Sequence, residues 1–442
     1  MTHRAARMLH VDGLARVEGE GALRVRVERD LVSAVELEIY EPPRFFEALL
    51  RGRAYTEPPD LTARICGICP VAYQMSACRA VEDACGVAVH GPIADLRRLL
   101  YCGEWIESHA LHIHLLHAPD FLGCDDAVAL AAADRGPVER GLRIKQAGNA
   151  VLEVVGGRAV HPVNVRLGGF HRLPTRRELA HLQARLRPAL DDALDTVEWV
   201  AGFDYPDDYC DHPFLANADP RGYAIEAGTP TIALPAGGHP LSFPVAEFEQ
   251  RVVETQVPYS TALRSTLDGR RHLTGPLARY AINGHQLPPT ILEAARAAGL
   301  GDIRAGEVCR NPYRSIAVRA VETAYAVVEA LRIIAAYEPP PHPYEPVPAR
   351  DATGYGTTEA PRGLLYHRYR IGPDALIADA RIIPPTAQNQ GAIEEDLRRV
   401  VQRELRLPDD ALTRACERAV RNHDPCISCS THFLDLTWER TP

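Results

Sequence analysis

Two Cys-x-x-Cys pairs lie at opposite ends of the chain: Cys66 and Cys69 in Arg-Ile-Cys-Gly-Ile-Cys-Pro, and Cys426 and Cys429 in Asp-Pro-Cys-Ile-Ser-Cys-Ser-Thr-His. Four thiolates at paired spacing suggest a shared metal ion. The second pair stands close to the last residue, Pro442. It completes a site only if the final segment folds inward instead of fraying, so the fold must bring its two ends together. Pro70 suits the first position of a helix, which is predicted to run to about residue 84. Cys69 then sits at an N-terminus whose dipole favours a thiolate. Asp424-Pro425 ends the preceding helix and leaves Cys426 on a turn.

A structural zinc ion with four cysteine ligands has the same paired spacing. Zinc modules usually draw their pairs from within a few dozen residues, whereas 356 residues separate Cys69 from Cys426. Iron and nickel also suit soft thiolates. Spacing alone leaves these metals open.

The rest of the composition narrows the class of protein. With 442 residues, 46% hydrophobic and 24% charged, the chain is long enough for a large core and carries no signature of disorder. A net charge of -9 without a basic stripe argues against nucleic acid as partner. The first ten residues lack an apolar h-region. The most apolar long stretch, 316–336, contains Arg319, Glu322, Glu329 and Arg332, so it reads as a buried amphipathic helix and not a membrane span. Eleven cysteines with no export signal point to reduced thiols and a cytoplasmic setting.

Polar and apolar residues alternate through 22–28 and 33–39 about Arg29-Asp30, as in a β-hairpin. Helical periods follow from about residue 44. Helices are predicted over 94–118, ending before Pro119, and over 174–201, 246–267, 289–298, 312–337, 392–405 and 409–422. Loops rich in Pro and Gly are expected at 202–243 and 338–364, with a short strand at 229–235. The expected fold class is mainly α with a small N-terminal antiparallel β element (α+β), around a helical-bundle core.

The flanks of the cysteines carry a specific resemblance. Arg-x-Cys-Gly-x-Cys and Asp-Pro-Cys-x-x-Cys-x-x-His look like the two signatures of the nickel-iron hydrogenase large subunit. Leu14-Ala-Arg16-Val-Glu18-Gly19, Arg44-Phe-Phe-Glu47 with Gly52-Arg53, Gly156 to Pro162, and Ala360-Pro361-Arg362-Gly363 are similar to further elements of that family. The match spans the chain and implies one domain, 1–432, β-rich over 1–43 and mainly helical over 44–432. A C-terminal extension, 433–442, resembles a peptide that a maturation protease removes after nickel insertion.

The resemblance implies nickel held by Cys66, Cys69, Cys426 and Cys429, with Cys69 and Cys429 also holding an iron that carries cyanide and carbon monoxide. It assigns the proton released from dihydrogen to Cys426 and then to Glu18, places Arg362 against the diatomic ligands, and gives Glu47 and His432 a magnesium or other divalent ion. Tyr73 and Ser108 depart from the family, where many members have a histidine and an acidic residue. His109, His112, His114 and His117 fan over roughly 200° of one helix, so they are read as packing and hydrogen-bonding residues and not as a metal site.

Seven further cysteines, at 78, 85, 102, 124, 210, 309 and 416, form no iron-sulfur ligand run. Gly354-Tyr-Gly356 lacks the third glycine of a nucleotide fingerprint. Electrons must therefore leave through another chain. The resemblance implies a small subunit with iron-sulfur clusters and, by likeness to the bidirectional subgroup, a flavin and iron-sulfur module that reaches NAD(P). Two other readings stay open on sequence: a metal-free electron-transfer subunit on the same fold, and a zinc-stabilised structural protein.

Overall fold

A computed structural model describes residues 7–431. The N-terminal hairpin forms as read. Strands Gly21–Glu28 and Leu31–Ile39 pair antiparallel about Arg29 and Asp30, both at positive φ as a tight two-residue turn requires. Arg7–Val11 adds a third strand. Leu9, Val25 and Leu37 on this sheet pack against Leu397, Val400, Leu412 and Val420 of the helices Pro385–Arg403 and Asp409–Asn422. That small core joins the first strands to the last helices, which is how the two chain ends meet.

The main core is helical. Pro70–Cys85, Gly91–Leu111, Arg135–Gly156, Arg176–Ala201 and Ser315–Ala336 bury their apolar faces together, and the cysteines at 66, 69, 426 and 429 belong to the same cluster. About half of the chain is helical, with several small antiparallel sheets and not only the N-terminal one. Three expectations change. Residues 246–267 are not one helix: a short helical segment gives way to the paired strands Val252–Gln256 and Leu263–Leu267. β-branched Val252, Val253 and Thr255 favour extended chain, and Pro258 blocks a helix. Residues 352–383 form a three-stranded meander, Ala352–Ala360, Gly363–Ile371 and Ile377–Ile383.

The third change concerns the histidine helix. It does not stop before Pro119 but passes through a π-helical turn, His112–His117, into Ala118–Leu122, and ends at Gly123 with φ 68°. Pro119 falls in the first turn of that last segment, where no backbone donor is required.

Candidate metal centre

The sulfurs of Cys66, Cys69, Cys426 and Cys429 lie within 4.8 Å of one another, all buried. Cys66 Sγ is 3.5 Å from Cys426 Sγ, and Cys69 Sγ is 3.6 Å from Cys429 Sγ, so each contact joins one loop to the other. The sulfurs of Cys426 and Cys429 also touch. The first loop leaves a 3-10 turn at Ala63–Ile65 and enters the helix Pro70–Cys85 with Cys69 as its N-cap. In the second, Asp424 at φ 49° turns the chain out of its helix, and the Cys426 N–H donates to Thr386 Oγ1 at 2.9 Å.

Arg44 ties the loops together. Its Nη2 donates to the Ile65 carbonyl at 2.7 Å and to the Ser428 carbonyl, while its backbone N–H donates to the Thr431 carbonyl at 2.6 Å. One guanidinium thus spans residues that precede Cys66 and Cys429 in sequence. The resemblance named Arg44 only as part of a motif; its clamp could not be seen without the partner carbonyls.

The expected dipole advantage for Cys69 goes elsewhere. The Val71 and Ala72 N–H groups donate to the buried Glu104 carboxylate at 2.6 and 3.1 Å, so the helix N-terminus serves that side chain. The Cys69 thiol donates to Cys66, which with burial holds Cys69 up as a thiol, while the same hydrogen bond lowers Cys66. The two sulfurs are unequal.

Glu18 runs beside the second loop: it forms a parallel bridge with Cys426, and its carbonyl accepts from Ile427 N at 2.9 Å. Its carboxylate accepts from Ser428 N at 3.2 Å and from Ser428 Oγ. Arg362 is 2% exposed and donates from Nε to the Asp424 carbonyl at 2.9 Å and from Nη2 to Asp424 Oδ1 at 3.1 Å. Burial opposes its charge, but Asp424 keeps it protonated. Arg362 Nη1 is buried with no hydrogen-bond partner among the described residues. A buried donor on a cation is costly to leave unmade, so this atom suits an acceptor that is not protein.

Glu47 lies in the short helix Phe46–Leu50, buried, and accepts from Ile382 N at 2.7 Å with Arg381 Nη1 at 3.7 Å. Burial pushes its carboxyl up to about 7. His432 and the extension 433–442 lie outside the described residues. Tyr73 is buried, with its hydroxyl 3.5 Å from the Cys429 carbonyl, and Ser108 Oγ is buried without a partner among the described residues. The four histidines do not converge. His109 meets Glu322 at 3.0 Å, His112 the Arg421 carbonyl at 2.9 Å, and His114 stacks on Trp199 and meets Thr196 Oγ1 at 3.2 Å.

Comparison with known proteins decides the family. The model of a family described as nickel-dependent hydrogenase matches residues 44–138 and 246–432. The chain belongs to the nickel-dependent hydrogenases. Sulfhydrogenase 1 subunit alpha of Pyrococcus furiosus is 33% identical over 96% of this chain and 98% of its own length. Sulfhydrogenase 2 subunit alpha of the same organism is 32% identical over 97% and 100%. Among solved structures, an NAD+-reducing [NiFe]-hydrogenase in the H2-reduced state superposes with a TM-score of 0.87 at 27% identity, covering 97% of this chain and all of that one. A [NiFeSe]-hydrogenase of Dm. baculatum shares the fold at a TM-score of 0.78 and 22% identity. This hydrogenase chain is a nickel-iron catalytic subunit that reversibly splits dihydrogen into protons and electrons. The metal-free and structural-zinc readings are not favoured. Among the described residues, no helix is long and apolar enough to cross a membrane.

Proposed function

We propose that Cys66, Cys69, Cys426 and Cys429 hold nickel, that Cys69 and Cys429 also hold an iron with cyanide and carbon monoxide ligands, and that Arg362 Nη1 donates to one of those ligands. The observation that carries this reading is the pairing of four convergent buried sulfurs with a buried guanidinium donor that has no other partner among the described residues. When bound, the metals supply the Lewis acidity and electron storage for heterolytic cleavage of dihydrogen.

The chain's own residues handle the proton. Cys426 Sγ takes it, and Glu18, backbone-paired to Cys426 and fixed through Ser428, carries it outward. Asp424 holds Arg362 in orientation from both its carbonyl and its carboxylate. Glu47 and His432 hold magnesium or another divalent ion. The domain spans 1–432, and a maturation protease removes 433–442 once nickel is in place.

Electrons leave to a small subunit with iron-sulfur clusters and then through flavin and iron-sulfur subunits to NAD(P), in the cytoplasm. The likeness to an NAD+-reducing hydrogenase and to alpha subunits supports this assembly. The surface beside the first cysteine loop supports the docking: Gly67 is exposed between Cys66 and Cys69, and His161, bonded to the Ala63 carbonyl at 2.7 Å, brings the exposed Val160 and Val163 alongside. Infrared spectroscopy of the purified complex tests the centre. Metal-bound carbonyl and cyanide bands are expected, and an active preparation without them sinks the reading.

A further inference from the structure

A cavity of about 630 Å³ lies away from the cysteine site, between the second half of the Pro70–Cys85 helix, the start of the Gly91–Leu111 helix and the loops near 221–227 and 244–246. Its volume falls in the range of small-molecule sites. Nearly all its charged lining is committed to protein partners. Glu82 accepts from both terminal nitrogens of Arg97, at 2.8 and 2.6 Å, and from Gly168 N at 2.8 Å. Arg221 pairs with Asp219 at 2.7 Å, Glu226 with Arg98 at 2.6 Å, and Asp83 accepts from Tyr355 N at 2.9 Å.

Arg79 is the exception. It is half-buried in the cavity wall, and among the described residues its guanidinium has no hydrogen bond or ion pair. Burial weighs against its charge, as do Arg97 and Arg221, with Glu226 and Glu82 in its favour. This unpaired guanidinium lines a space much larger than one inorganic anion, beside the apolar Met75, Val89 and Val245.

We propose that this cavity binds an organic anion, a carboxylate or phosphate seated on Arg79 with its body against Met75, Val89 and Val245. The planar guanidinium fork offers a carboxylate or phosphate two parallel hydrogen bonds. The carboxylate source and the phosphate source share this chemistry, so citrate and AMP are the two organic probes, with inorganic phosphate as the anion without a body.

Calorimetric titration of the intact hydrogenase complex at constant ionic strength tests the site. Citrate or AMP binds saturably and more tightly than inorganic phosphate, and whichever binds identifies the source. Arg79→Gln weakens binding about tenfold or more, whereas Arg79→Lys retains part of it. Val245→Trp, which fills the opposite wall, blocks binding while leaving Arg79 in place. Hydrogen uptake without probe is unchanged in these variants, which shows that the chain still folds. The proposal is overturned if none of the three probes binds saturably or if Arg79→Gln binds as tightly as wild type. It is equally overturned if Arg79→Gln loosens subunit association while no probe binds, since Arg79 then serves a partner chain.

Discussion

At the scale of single residues the centre depends on groups that hold other groups. Arg362→Lys keeps a positive charge but loses the fork that lets one side chain bind Asp424 twice and still present Nη1. Such supporting partners typically contribute 10- to 100-fold. Hydrogen uptake should therefore fall by roughly that factor while metal analysis still finds nickel; loss of nickel in proportion to activity would make Arg362 a structural residue only. Glu18→Gln keeps one oxygen to accept from Ser428 N and turns the other contact round, its amide donating to Ser428 Oγ, but it cannot ionise. Removing a proton carrier costs about 10²- to 10⁴-fold, so turnover with an electron acceptor should collapse while hydrogen-deuterium exchange at the centre persists. Equal loss of both would refute the relay. The four cysteines were legible because ligand type and spacing are written in the sequence. The contacts of Arg44, Asp424, Thr386 and Glu104 were not, because each is made with a residue at least 21 positions away whose placement only folding decides.

The elements show where sequence pattern carries information and where it fails. Helices with a polar face and a clear stop were found nearly to the residue, as with Asp409–Asn422 and Pro289–Ala297. The Gly363–Ile371 strand was missed because its residues are buried on both faces, so no alternation appears. Gly354 and Gly356 have a packing reason: a Cβ at Gly356 would come within 2.7 Å of the Ser76 carbonyl, so glycine lets the Pro70–Cys85 helix lie directly on the strand. The helix Arg135–Gly156 was not predicted either; Pro137, Gly141 and Gly148 all weaken its helical signal. Here too the glycines serve contact, because a Cβ at Gly148 would lie 2.6 Å from Glu107 N and 2.7 Å from the Gly103 carbonyl. Gly to Ala in a helix normally stabilises by up to about 1 kcal/mol. Gly148→Ala should instead destabilise by about 1–3 kcal/mol, as overpacking does. Denaturant titration checks the sign, and a stabilised variant would mean that the two helices can part at little cost.

Across the whole molecule, buried titratable groups set opposing pH dependences. Burial holds His109, His114 and His272 down to about 4, 3 and 4, so all three are neutral in the folded chain below their usual 6.5. The unfolded chain binds those protons as pH falls below about 6.5, so each histidine lowers stability on acidification. Glu254 and Glu359 run the other way. Burial raises them to about 8 and 7, despite Arg381 beside Glu254 at 2.7 Å and Arg279 beside Glu359 at 3.2 Å. Their stability is full below the usual 4.5 and is lost as pH rises toward the folded values. Between about pH 4.5 and 6.5 the two glutamates offset two of the three histidines, at about 1.4 kcal/mol per pH unit for each group. Single variants separate them. His114 faces Trp199, Thr196, Asp192, Arg140 and Arg143, and His114→Phe keeps the stacking while removing the titration. Relative to wild type, His114→Phe should gain stability as pH falls from 6.5 to 4.5. Glu254→Gln should gain it as pH rises from 4.5 to 8. Urea unfolding at pH 5, 6 and 7 reads both slopes, and parallel curves for wild type and either variant would show that the group concerned titrates alike in the folded and unfolded chains.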